Sequence, residues 1–313
     1  MTPVILFGGR PAQRDLWRAH LLDAAAAQGL TMDLRMAPED VAPGDVDAII
    51  YNPEGPVQDF TPYAKLRGAL NMWAGVEQVV GNKTLKAPLT RMVEPGLTLG
   101  MTDWVVAHVM RRHVGIDRHL TMAPGDWPQD HPPLARDRRI TVLGLGELGE
   151  ASARALSGLG FQVTGWSRRK KDIPGVRCLA GPAGLRDALA AGDFLVLLLP
   201  LTEATENLLN ARTLRDLPEG AEIFNPGRGA LIDDDALMAA LAGGHVAHAT
   251  LDVFRQEPLP REHPFWDAPG VTVTPHIASV TRADTAAGAL VAQIVRIRDG
   301  LPLLHVVDRA RGY

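Results

Sequence analysis

The chain is poor in cysteine. Cys178 is the only one in 313 residues. An internal disulfide is therefore excluded, and a reducing compartment, the cytoplasm, is expected. Positive charge is not in excess either: 32 Lys and Arg stand against 36 Asp and Glu, for a formal net charge of -4. Such a chain lacks the basic stripe that nucleic acid or an anionic membrane requires. No stretch approaches the ~20 apolar residues that span a bilayer. The start, Met1-Thr2-Pro3 followed by Val4-Ile5-Leu6-Phe7, has no basic segment and too short an apolar run for a signal peptide. Repeats and low-complexity segments are also missing. What remains is an ordinary globular composition, 46% apolar and 22% charged, with a length that favours two domains.

Short apolar runs alternate with helical patterns. Val4–Phe7 and Asp47–Tyr51 read as strands, and residues 15–28 as a helix stopped by Gly29. A long apolar-periodic helix is expected over 103–115, followed by a proline-rich stretch over 124–133. A stronger alternation begins at Arg139 and includes the apolar run 194–199, typical of a central parallel strand. Further strands are expected at 222–224 and 271–273, with a last helix over 283–298. The expected fold class is α/β, with two doubly wound parallel-sheet domains. Counting elements puts one domain at 101–279 and a discontinuous one at 1–100 with 280–313.

Gly144-Leu145-Gly146-Glu147-Leu148-Gly149 fits G-x-G-x-x-G. The pattern alone is weak. Here a strand precedes it, a helix over 151–159 follows, and a strand over 161–166 comes next, as a dinucleotide-binding unit requires. The glycines let the backbone turn tightly and approach a pyrophosphate, which the helix N-terminus attracts. An NAD enzyme usually places an acid at the end of the second strand. This chain has Ser167 there, followed by Arg168, Arg169, Lys170 and Lys171. An acid would repel a 2′-phosphate, whereas Ser167 and the guanidinium forks suit one. NADPH is the expected cofactor, with NADH a weaker alternative.

Three segments at strand ends carry reactive groups: Asn225-Pro226-Gly227-Arg228-Gly229, the run 251–258 with Glu257, and Thr274-Pro275-His276. Ligands of an open parallel sheet bind outside the carboxyl ends of its strands, so Arg228, Glu257 and His276 are expected to converge. A guanidinium holds a carboxylate and polarises the adjacent carbonyl. A histidine gives a proton to the developing alkoxide, and a nearby carboxylate favours its charged form. The set suits reduction of a 2-oxo acid. A dinucleotide-sensing protein without turnover, or an NAD-linked dehydrogenase of larger 2-hydroxy acids, are the alternatives. Tyr51 and Trp73 read either as core aromatics or as walls of a small pocket. His245 and His248 have helical metal spacing, but no third ligand is evident and no metal is expected. Asp233-Asp234-Asp235 reads as a helix cap.

These segments, with Gly165-Trp166-Ser167-Arg168-Arg169, Leu198-Leu199-Pro200-Leu201-Thr202 and the tail Val307-Asp308-Arg309-Ala310-Arg311-Gly312-Tyr313, give the chain a resemblance to a known family. It resembles the D-isomer-specific 2-hydroxyacid dehydrogenases, in particular their glyoxylate/hydroxypyruvate reductase A branch, over essentially its whole length. The resemblance implies Arg228, Glu257 and His276 as catalytic. It implies a substrate-carboxylate loop at Trp73-Ala74-Gly75-Val76, with Tyr51, Arg228 and His276 also at the substrate. It implies cofactor contacts from Gly144, Gly146, Glu147, Leu148, Gly149, Ser167, Arg168, Arg169, Leu199, Pro200, Leu201, Thr205, Pro226, Gly227, Arg228, Asp252 and His276, with Asp252 at the nicotinamide end. It also implies a homodimer built through the nucleotide-binding domains. Two positions depart from the family pattern: Glu77 stands where Asp is common, and Pro226 lacks one N–H donor.

Overall fold

A computed structural model describes residues 2–313. The first elements are β1 (Val4–Gly8), α1 (Arg14–Ala27), β2 (Asp33–Arg35), β3 (Ala48–Tyr51), β4 (Gly68–Asn71) and β5 (Leu89–Thr90). Next come α2 (Pro95–His113), α3 (Ile116–Leu120), β6 (Arg139–Leu143), α4 (Glu147–Gly158), β7 (Gln162–Ser167), β8 (Val176–Ala180) and α5 (Gly181–Ala191). The chain ends with β9 (Phe194–Leu197), β10 (Ala221–Asn225), α6 (Asp234–Ala242), β11 (Val246–Leu251), β12 (Val271–Val273) and α7 (Ala283–Arg298). It divides into two units, Met1–Leu97 with Thr281–Tyr313, and Thr98–Val280. The division falls inside the first turn of α2, three residues before the Gly100 boundary expected from counting elements.

Unit 1 is a five-stranded parallel sheet in the order β2-β1-β3-β4-β5, a flavodoxin-like arrangement. β3 and β4 are buried along their whole length, because crossover helices cover both faces of a parallel sheet. α7 packs against α1 and the β3–β4 face. It buries Leu290, Val291, Ile294 and Ile297, each contributing about 1.5–3 kcal/mol relative to exposure.

Unit 2 is a seven-stranded parallel sheet in the order β12-β11-β10-β9-β6-β7-β8. The order reverses between β6 and β9, which defines a Rossmann-type switch point. β9 is wholly buried, as its apolar run requires. Asp233 caps α6 by accepting from the Ala236 N–H at 3.0 Å.

Several elements differ from the sequence reading. α2 begins eight residues before the expected Asp103. Gly96, Thr98 and Gly100 are weak helix formers and mask its first turns, but the Glu94 carboxylate accepts from the N–H groups of Gly96 (2.6 Å) and Leu97 (2.7 Å) and starts the helix there. α4 begins at Glu147, inside the glycine pattern, rather than at Ala151. β2, β4, β5 and β8 carry no strong period-2 pattern to mark them in the sequence; β2 and β5 have only three and two residues. No helix among the described residues is long and apolar enough to cross a membrane.

Candidate active site

The dinucleotide loop leaves β6 at Leu143 and enters α4. Gly144 has φ of 100°, a conformation glycine adopts without strain, and a methyl there would overlap the Leu198 carbonyl beyond β9. A methyl at Gly149 would overlap the Gly144 carbonyl, so the third glycine lets α4 seat against the turn. Gly146 differs: the space around it is open, and no side chain caps the N-terminus of α4 that it begins. Open space at an uncapped helix N-terminus fits a dinucleotide pyrophosphate. Glu147 is exposed and Leu148 half-buried beside it.

At the end of β7, the Ser167 hydroxyl donates to the Arg169 carbonyl at 2.7 Å, which folds a turn. Arg168 and Arg169 stand exposed on that turn. Lys171 is drawn away to Glu150 at 3.0 Å. Beyond β9, Leu199 is buried while Pro200 and Leu201 are half-buried. The Thr205 hydroxyl donates to the Pro200 carbonyl (2.7 Å) and accepts from the Thr202 N–H (2.8 Å), so it knits this loop.

The remaining loops stand side by side along the carboxyl edge, joined by close backbone approaches. A methyl at Gly227 would press on the Leu197 carbonyl, which ties the β10 loop to the end of β9. A methyl at Gly229 would overlap Phe254 and Arg255 backbone, which ties the β10 loop to the β11 loop. Asn225 shapes the first of these turns, accepting from the Gly227 N–H at 3.1 Å and donating to the Arg228 carbonyl at 2.9 Å. Pro226 is buried within that turn, where the Asn225 side chain supplies the local bonding.

The loop after β12 hangs on Asp252. Its carboxylate is fully buried and accepts from the Thr274 hydroxyl (2.5 Å) and the N–H groups of Ile277 (3.0 Å) and Ala278 (2.9 Å). The Asp252 carbonyl accepts from the His276 N–H at 2.8 Å. His276 takes φ of 53° inside this clasp, an uncommon backbone for a non-glycine residue. The Asp252 oxygens thus bond the histidine loop, and the side chain is fully buried beneath it.

The expected three residues meet on this edge. His276 Nδ1 lies 2.5 Å from Glu257 Oε2, and Glu257 Oε1 accepts from the Phe254 N–H at 2.9 Å. The bond to Glu257 raises the His276 pKa above its ordinary 6.5; burial opposes this, and the Glu257 charge reinforces it. Burial works to raise the Glu257 carboxyl, but the bonds from His276 and Phe254, with the charges of His276 and Arg228, hold it below its ordinary value. The Arg228 charge acts on both partners, so the guanidinium lies within electrostatic reach of the pair. With Nδ1 committed to Glu257, Nε2 is the ring atom left to serve a substrate.

Within unit 1, Trp73-Ala74-Gly75-Val76 follows β4. Its carbonyls are held from inside: Asn71 Nδ2 donates to those of Trp73 (2.9 Å) and Gly75 (2.8 Å), and the Met92 N–H donates to Trp73 (2.9 Å). Asn71 is buried, and sequence reading missed it; a lone asparagine at a strand end carries no distinctive signal. Tyr51 is 1% exposed, with its ring 5.3 Å from Phe60, and the apolar cluster around it includes Val57 and Val76. It packs as a core aromatic. Trp73 is half-buried. The two histidines with metal-like spacing point to different partners. His245 meets the Leu214 carbonyl (2.9 Å) and His248 the Thr272 hydroxyl (3.0 Å), with His248 pushed down to about 4 by burial.

A Rossmann-type sheet with a glycine cradle at its switch point and a histidine–carboxylate pair beside an arginine defines a nicotinamide-dependent oxidoreductase. The family model for the D-isomer specific 2-hydroxyacid dehydrogenase, NAD binding domain, matches residues 104–278. The chain belongs to the D-isomer specific 2-hydroxyacid dehydrogenase family. A glyoxylate/hydroxypyruvate reductase A of Yersinia enterocolitica is 37% identical, over 88% of this chain and 89% of the relative. A family member from Xanthobacter autotrophicus Py2, solved with NADPH and MES, superposes with a TM-score of 0.92 at 37% identity and covers 100% of both chains. An NADPH-dependent glyoxylate/hydroxypyruvate reductase of Sinorhizobium meliloti, solved with NADP and sulfate, gives a TM-score of 0.84 at 32% identity, again over 100% of both.

Proposed function

We propose that the protein reduces small 2-oxo acids, glyoxylate and hydroxypyruvate, to the 2-hydroxy acids glycolate and glycerate, with NADPH preferred. The observation that carries this is the His276–Glu257 pair at 2.5 Å beside Arg228. Gly144, Gly146 and Gly149 with the α4 N-terminus hold the pyrophosphate; Ser167, Arg168 and Arg169 hold the 2′-phosphate. Leu199, Pro200, Leu201, Pro226 and Gly227 line the rest of the cofactor path. NADPH supplies the hydride to the carbonyl carbon. Arg228 grips the substrate carboxylate and polarises the carbonyl. As charge builds on the carbonyl oxygen, His276 gives it the proton from Nε2, and Glu257 holds the resulting ring in place. Unit 2 is the nucleotide-binding domain and unit 1 the substrate-binding domain, whose Trp73–Val76 backbone meets the carboxylate. The types of relative named above and the exposed basic turn after β7 support NADPH over NADH.

We further propose a homodimer formed through unit 2, in the cytoplasm. Leu120, Trp127 and Leu134 of unit 2 support the dimer, being 76%, 84% and 56% exposed in the single chain, so that burying them against a second copy would be favourable. The lone cysteine supports the compartment. The functional test is a rate panel, NADPH and NADH each against glyoxylate, hydroxypyruvate and pyruvate. The fastest turnover is expected with NADPH and the first two acids. No cofactor oxidation with any of the acids would overturn the reading.

A further inference from the structure

Beyond α7 the chain turns back over unit 1 as an extended strap. Thr90 and Val306 form an antiparallel bridge; the Arg91 N–H donates to the His305 carbonyl (3.1 Å) and the Val307 N–H to the Leu89 carbonyl (2.8 Å). The strap thus edges β5. Val307 is 6% exposed and belongs to the apolar cluster that holds Val76, Val79 and Leu85. Two residues on, the Arg309 guanidinium reaches three carbonyls of one turn. Nη1 donates to Leu85 (2.6 Å), Nη2 to Asn82 (2.5 Å) and Nε to Val80 (3.2 Å).

Both attachments lead to the Trp73–Val76 loop. The N–H groups of Val79 and Val80 donate to the Val76 carbonyl at 3.0 and 2.8 Å, so the turn that Arg309 grips begins where the loop ends. The β5 edge leads through Arg91 to Met92, whose N–H holds the Trp73 carbonyl at 2.9 Å. Asn71 fixes the loop carbonyls from within, and the strap fixes the segments on either side.

We propose that the C-terminal strap, with Arg309 as its main contact, is a positioning element for substrate binding: it sets the Trp73–Val76 backbone for the substrate carboxylate. The proposal rests on the reading that this loop meets the carboxylate. A guanidinium is suited to the task because its planar fork of donors serves several carbonyls at once, and charged donors make the stronger bonds. Backbone N–H groups that converge on an anion must be placed closely, since a shift of about 1 Å at a substrate contact costs up to about a hundredfold.

The experiment uses the full chain with Arg309→Ala, Arg309→Lys and Ala74→Pro, the last removing an N–H of the loop itself. KM and kcat for glyoxylate are measured with NADPH saturating, and NADPH affinity by fluorescence titration. Arg309→Ala is expected to raise the glyoxylate KM on the order of tenfold, with NADPH affinity unchanged. Arg309→Lys, which keeps the charge without the fork, should fall between it and the parent. Ala74→Pro should raise KM at least as much. If Ala74→Pro raises KM and Arg309→Ala does not, the strap does not position the loop, and the carboxylate reading survives alone. If Ala74→Pro leaves KM unchanged, the loop does not bind carboxylate and both statements fall. Should Arg309→Ala not fold, Arg309→Lys decides: a parental KM overturns the proposal.

Discussion

Unit 1 and unit 2 are both parallel sheets, with loops gathered beyond their carboxyl ends, but those loops use different parts of the chain. On unit 2 the edge beyond β10, β11 and β12 presents side chains: Arg228, Glu257 and His276. On unit 1 the edge beyond β4 presents backbone. The Asn71 side chain there is buried and turned on the carbonyls of Trp73 and Gly75. The supports differ accordingly. Unit 2 brings its loops together through missing Cβ atoms at Gly144, Gly227 and Gly229, and through the buried Asp252 carboxylate. Unit 1 clamps its loop by hydrogen bonds to carbonyls. Chemistry that moves a proton needs a titrating side chain, whereas holding a carboxylate needs only donors at fixed points, which backbone supplies.

The comparison breaks most sharply at His276. His276→Ala should lower the reduction rate by about 10²–10⁴-fold, while titration shows that NADPH still binds, because the glycine cradle is untouched. An active variant would end the assignment of proton donor. Arg228→Lys keeps the charge but loses the fork; a charged hydrogen bond is worth about 1.5–3 kcal/mol, so glyoxylate turnover should fall by tenfold or more. A near-parental rate would place Arg228 away from the substrate. Gly229→Ala tests the support rather than the chemistry. The added methyl overlaps Phe254 and Arg255 backbone, an overpacking cost of about 1–3 kcal/mol. Denaturant unfolding should show that loss, and kcat should drop as the Arg228 and Glu257 loops separate. An unchanged midpoint would mean that the close approach is not a constraint. The smallest effect is expected from neutral residues at Arg168 and Arg169 together, with NADPH affinity falling on the order of tenfold and NADH affinity held. Equal effects on both cofactors would detach the basic turn from the 2′-phosphate.

The same contrast explains what the sequence discloses. The glycine pattern at Gly144–Gly149, the Ser167 position and the three reactive residues announce themselves through residue type at strand ends. Buried central strands such as β9 read directly from their apolar runs. The supports do not announce themselves. Asp252 looks like one more acid at a strand end, and only the structure shows both its oxygens on the loop of His276. Asn71 and Arg309 act on carbonyls, which every residue has, so no residue pattern points to their partners. Tyr51 lies at a strand end like the functional groups, yet packing against Phe60 places it in the core. Short strands such as β2 and β5 are held by neighbours in the sheet rather than by local periodicity, and so escape a reading based on period.

The central claim is that Glu257 keeps His276 protonated so that it serves reduction. It is tested most directly by the pH profile of the glyoxylate reduction rate in the parent and in Glu257→Gln. In the parent the hydrogen bond and charge of Glu257 raise the His276 pKa above 6.5. The proton-donating form therefore persists above the usual histidine range, and the rate falls only as pH rises through that raised value. Without the charge, the alkaline limb of Glu257→Gln should move to lower pH, toward or below the ordinary histidine value. Superimposable profiles would contradict the account.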